Sequence, residues 1–201
     1  MQRPYGIDGI CTMTLFKNKY RSESARLRGW DYRNPGYYFV TICTRQREHF
    51  FGAVMGDDVQ LSPIGEIAAQ FWSEIPSHHK GIELDKWIVM PNHVHGIVII
   101  RENAVVGTLH ATSLQPSQPQ DNAKMSQISP KAGSLSVVIR SYKSAVSRWA
   151  GLNGYKNFAW QPRFYDHIIR DEKSLNNIRQ YIFDNPLKWE LDKENPSNLY
   201  M

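Results

Sequence analysis

Apolar residues run almost unbroken from Tyr37 to Thr44 in YYFVTICT, β-branched and aromatic on both faces, which predicts a buried strand in the middle of a sheet. Ser62-Pro63 then opens a helix, with Ser as N-cap, Pro at the first position and Glu66 in the first turn. Ile64, Ile67, Ala68, Phe71 and Trp72 follow at helical spacing, and the pattern stops near Pro76. After a polar turn, SHHKG, come two more β-type stretches, IELDKWIVM and HVHGIVIIR. Pro91-Asn92 joins them, as expected of adjacent antiparallel strands.

Residues 103–133 lose periodicity and gather Ser, Gln, Pro, Asn and Gly, so a flexible excursion is expected there. Ser134 is placed to cap a second helix. Leu135, Val138, Ile139, Tyr142, Ala145, Val146 and Trp149 fall on one of its faces and Arg140, Lys143 and Arg148 on the other, to about Gly151. The segment NFAWQPRFY reads as an edge strand, because Pro162 cannot sit in a central one. A last helix is expected from about Lys173 to Asp184, stopped by Asn185-Pro186. The order β-α-β-β-α-β plus a C-terminal helix predicts a ferredoxin-like α+β fold, an antiparallel sheet with helices packed on it. The domain spans 35–190, between a basic arm at 1–34 and a tail at 191–201.

Of the 201 residues, 41% are hydrophobic and 12% aromatic, enough to fill one core and unlike a disordered chain. Lys and Arg number 24 against 19 Asp and Glu, a net charge of +5 that favours an anionic partner. Residues 16–33 alone hold six basic residues against two acidic. Two cysteines, Cys11 and Cys43, are too few for a disulfide framework, and a reducing cytoplasm is the expected setting. The apolar stretch from Trp87 to Ile100 is broken by Asn92, His93 and His95, so no membrane span is expected.

Chemistry concentrates in MPNHVHGIVII. His93 and His95, two apart on a strand, share a face and can converge on one divalent ion; Val94 packs into the other layer. By ligand chemistry alone the pair favours Mn²⁺ or Zn²⁺. Tyr142 is a candidate nucleophile if its helix lies over the histidine strand, with Arg140 and Lys143 favouring the phenolate; the alternative is a plain core aromatic. His49, His78, His79 and His110 read as exposed polar residues.

MPNHVHGIVII resembles the His-hydrophobic-His signature of the HUH single-strand DNA transposases that use one tyrosine. Further stretches resemble the REP-associated tyrosine transposase branch: GYYFVT from Gly36, SYKSAV from Ser141, WQPRFYDHIIR from Trp160 and YIFDNP from Tyr181. The resemblance covers roughly residues 28–190 and lies in the ordered combination. It implies a ferredoxin-like domain, monomeric or homodimeric and nucleoid-associated, in which His93 and His95 bind Mg²⁺ or Mn²⁺. Tyr142 would attack single-stranded, hairpin-forming DNA to give a 5′-phosphotyrosine and a free 3′-hydroxyl.

Members of the family commonly carry an amide side chain one helical turn after the tyrosine, whereas position 146 is Val. Gln161 and Asp166 are the polar alternatives for a third ligand, and Tyr165 and Tyr181 are lesser nucleophile candidates. Lys17, Lys19, Arg21, Arg26 and Arg28 in the arm, with Arg140, Lys143 and Arg148, are the residues expected to meet DNA. Two other readings stay open: a hairpin DNA- or RNA-binding protein of the same fold without catalysis, and a zinc hydrolase using a metal-bound water.

Overall fold

The structure is a computed structural model that describes residue 27 and residues 29–106 and 133–191. Lys17, Lys19, Arg21, Arg26, Arg28 and His110, with most of the 103–133 segment and the tail from 192, lie outside the described residues.

Among the described residues six strands and four α-helices follow one another: β1 (Gly36–Cys43), β2 (Gly52–Met55), β3 (Asp58–Leu61), α1 (Pro63–Ser73), α2 (Ile75–His78), β4 (His79–Met90), β5 (His93–Val106), α3 (Leu135–Leu152), β6 (Tyr165–Ile169) and α4 (Glu172–Phe183). Strands β4, β5, β1 and β6 form one antiparallel sheet in that order, and β2 and β3 form a separate hairpin. The expected α+β architecture is present, with YYFVTIC as an inner strand between β5 and β6. In register, Thr41 lies between His95 on β5 and Tyr165 on β6.

The elements depart from the sequence pattern at several places, among them SHHKG, expected as a polar turn but shared between the end of α2 and the start of β4. The β2–β3 hairpin was not expected, because two four-residue strands alternating between half-buried and exposed leave little periodicity to read. The edge strand starts at Tyr165 rather than spanning 157–165. Pro162 has no N–H to give a ladder, and ahead of Tyr165 the segment meets the sheet at Trp160, which bridges to Thr44. Strand β5 continues to Val106, past the residue where periodicity fades.

Side-chain caps set the starts of α1 and α4. Ser62 caps α1, its hydroxyl accepting from the Gly65 N–H at 3.2 Å with Pro63 behind it. Ser134 holds the N-cap position of α3 with extended backbone, but its hydroxyl makes no capping bond. Asp171 caps α4 by accepting from the Ser174 N–H at 2.8 Å.

The sheet has two buried faces. On one, Val94, Val98 and Ile100 of β5 and Tyr38, Val40 and Ile42 of β1 pack with Ile64, Ala68 and Trp72 of α1 and Val138, Tyr142 and Val146 of α3. On the other, Phe39, Ile97 and Ile169 pack with Leu175, Ile178 and Ile182 of α4. Gly96 belongs to the first face, where a β-carbon would lie 2.3 Å from the Trp72 ring; the strand carries glycine there because the indole occupies the space.

Candidate active site

Alternation along β5 puts His93, His95 and Ile97 on the face that α4 covers, opposite Val94 and Val98. The two imidazole centroids are 4.3 Å apart and both residues are buried. Asn92 fixes the first ring. Its Nδ2 donates to the Arg47 carbonyl at 3.1 Å, so its Oδ1 faces His93 Nδ1 at 2.8 Å. That oxygen only accepts, hence His93 carries its proton on Nδ1 and presents the Nε2 lone pair. Thr41 Oγ1 engages His95 Nδ1 at 2.9 Å, which likewise leaves Nε2 as the outer nitrogen.

The side chain that meets this pair is Tyr181. Its hydroxyl lies 3.2 Å from His95 Nε2, its ring sits 5.2 Å from the His95 ring and edge-on to Phe39 at 6.0 Å, and it is 38% exposed. Phe39 stacks on His95 at 5.4 Å and meets Tyr165 edge-on at 6.4 Å, so both tyrosines border one aromatic floor. Asn185 is buried four residues beyond Tyr181, just past the end of α4. Trp189 lies 6.0 Å from the His93 ring and 5.6 Å from that of His49.

The expected partnership between Tyr142 and the histidines is not formed. Helix α3 packs on the opposite face of the sheet, where Tyr142 is fully buried and donates its hydroxyl to the Ala68 carbonyl at 3.1 Å. Its ring meets Trp72 edge-on at 5.0 Å. Burial pushes its phenol well above the usual range, the reverse of an activated nucleophile. Of the expected helix cations, Arg140 and Arg148 are exposed on α3, away from the histidine face. Lys143 is half-buried, donates Nζ to the Gln161 carbonyl at 2.6 Å, and is pushed down to about 8 by burial.

Val146 is a core residue of the same helix, so its lack of an amide says nothing about the histidine pair. Asp166 is buried beside Val40, whose side chain belongs to the α3 face, so it does not join the histidines. His79 is buried rather than exposed, and burial with the neighbouring His78 holds its imidazole below the usual value. The signal that would have found Tyr181 is the spacing Tyr-x-x-x-Asn at its helix end, which meets the amide expectation that Tyr142 fails.

Among the described residues no group of three His, Cys, Asp or Glu is placed to hold a metal, and no helix is long and apolar enough to cross a membrane. Two imidazoles on one strand face, each with its Nδ1 engaged, are nitrogen donors of the kind that suit a divalent ion.

Sheet order, covering helices and site together define a mixed α+β domain of the transposase fold. Over 86% of the chain and 77% of the other, the structure superposes with a TM-score of 0.52 and 22% identity on a REP-associated tyrosine transposase solved bound to a REP hairpin. A Haemophilus influenzae protein described only as uncharacterized is 36% identical over 175 residues, 87% of this chain and 93% of its own. A second H. influenzae protein, provisionally described as a REP-associated tyrosine transposase, is 55% identical over 29 residues, 14% of this chain and 16% of its own. No family model matches. The chain belongs to one family with the first H. influenzae protein, and its resemblance, in fold and in sequence, is to the REP-associated tyrosine transposases.

Proposed function

We propose that the protein is a metal-dependent single-strand DNA transposase that cleaves and rejoins hairpin-forming DNA, with Tyr181 rather than Tyr142 as its nucleophile. The observation that carries this reading is the hydroxyl of the partly exposed Tyr181, 3.2 Å from Nε2 of His95.

His93 and His95 would hold Mg²⁺ or Mn²⁺ through Nε2, with Asn185 as the third protein donor. When bound, the ion supplies Lewis-acid polarisation of a phosphoryl oxygen. Asn92 and Thr41 fix the ring orientations in advance, so little reorganisation is needed when substrate arrives. Tyr181 Oη attacks the phosphorus, the bond to the 3′ oxygen breaks, and the phenol proton ends on that oxygen. The products are a 5′-phosphotyrosine and a 3′-hydroxyl. One phosphate ester replaces another, so the reverse attack rejoins a strand without a nucleotide cofactor. The solved relative bound to a REP hairpin supports hairpin DNA as the partner here.

The test mixes the full chain with labelled single-stranded hairpins from sequences flanking its own gene, with Mn²⁺ or EDTA. An SDS-resistant adduct that requires metal, vanishes in Tyr181→Phe and persists in Tyr142→Phe is expected. Loss in Tyr142→Phe with retention in Tyr181→Phe overturns the assignment, and tight hairpin binding without any adduct supports the binding-only reading.

A further inference from the structure

Gln46 and Arg47 are consecutive non-glycine residues in the left-handed region, with φ of 55° and 57°. Such conformations persist only where the surroundings dictate them, and they gather at functional sites. Here the surroundings are explicit. The Thr44 hydroxyl is shared between the Glu48 carbonyl at 2.8 Å and the Asn92 carbonyl at 3.0 Å. The Arg45 N–H donates to the Ala159 carbonyl at 2.7 Å, and Asn92 Nδ2 takes the Arg47 carbonyl.

The amide that holds this turn is the same one that sets the His93 tautomer, so turn and site are joined by one side chain. Two residues after Arg47, the His49 ring meets Trp189, which in turn borders His93. The turn thus presents Arg45, exposed, with Arg47 half-buried two residues on, on a backbone fixed to the histidine site.

We infer that the Arg45-Gln46-Arg47 turn is a phosphate-holding element that grips the single-stranded DNA beside the scissile position on the His93 side. The inference rests on the proposed DNA reading. A guanidinium pairs with a phosphate through two parallel N–H bonds, and a turn held rigid loses little entropy when it does so. A strand fixed there would be anchored within one side chain of the metal pair.

The experiment measures anisotropy of two labelled DNAs in EDTA, a bare hairpin and the same hairpin with a single-stranded flank, over a salt series. Wild type is compared with Arg45→Gln/Arg47→Gln and with Arg47→Gly, which removes the guanidinium at a backbone glycine favours. For the flanked probe, the slope of log affinity against log salt should fall by about 0.7 for each phosphate left without its guanidinium. Binding of the bare hairpin should change little. A flanked-probe slope equal to wild type in folded variants overturns the inference alone. Failure of wild type to bind either probe overturns the DNA reading and the inference with it.

Discussion

Arg179 of α4 grips Asp85 of β4, its Nε 3.1 Å from both carboxylate oxygens and its Nη2 2.5 Å from Oδ2. Asp85 sits where the β4–β5 register shifts between Leu84 and Trp87, so the irregularity in the strand supplies the anchor for the helix that carries Tyr181. Arg179→Ala should leave the sheet intact and reduce adduct formation several-fold, because the phenol loses its fixed approach to His95. The Arg179 guanidinium holds the Asp85 carboxyl below the usual range. The unfolded chain therefore takes up the proton first as pH falls. The contribution is complete above about pH 4 and is lost as pH drops through the lower folded value. Denaturation midpoints between pH 6 and pH 2 should fall more steeply for wild type than for Asp85→Asn.

Tyr142→Phe removes the hydrogen bond to Ala68 while keeping the ring against Trp72. Urea denaturation should show a loss of about 1 kcal/mol, the net value of a hydrogen bond whose partner remains buried. Adduct formation per folded molecule should be unchanged.

Thr41→Val keeps the shape of the strand and removes the partner of His95 Nδ1. Weaker Mn²⁺ binding by about 10- to 100-fold, read by calorimetry, is the expected cost of losing a group that orients a ligand. Thr41→Ser should restore most of it.

Gly96→Ala should be among the most damaging small substitutions, since the new methyl would meet Trp72 at 2.3 Å. A loss of about 1–3 kcal/mol is expected from overpacking, measured by chemical denaturation. Combining it with Trp72→Phe should recover part of that loss, which independent effects would not do.

Lys143 ties α3 to the segment before β6, and burial holds its amine near 8. Between about pH 8 and the ordinary lysine value of about 10.4 the unfolded chain binds the extra proton, so stability rises across that window. Lys143→Met should flatten the rise. A parallel pH dependence in the two proteins would refute the assignment.

Much of the fold was legible in the sequence because strong periodicity and caps coincide: YYFVTIC, Ser62-Pro63 and the amphipathic run from Leu135 each became the element expected. The histidine pair was legible for the same reason, two residues apart on a strand. Tyr142 was misread because periodicity tells which residues share a helix face but not which face of a sheet that helix covers. Its stripe with Val138 and Val146 is a core stripe, and α4, with a weaker apolar content, takes the histidine side. Tyr165–Ile169 was displaced because Asp166 and His167 hide a strand whose other partners are apolar. The turn at Gln46 left no signal, since its backbone is imposed by Asn92, far along the chain.

The pairing of Tyr181 with His95 joins positions 86 residues apart. During synthesis the histidine strand leaves the ribosome well before α4, by roughly 4–17 s at about 5–20 residues per second. A nascent or prematurely ended chain can therefore present the imidazoles without the phenol. On the proposed reading, a chain that ends before α4 would hold the histidines and lack the attacking group, so cutting would wait for the C-terminal helix.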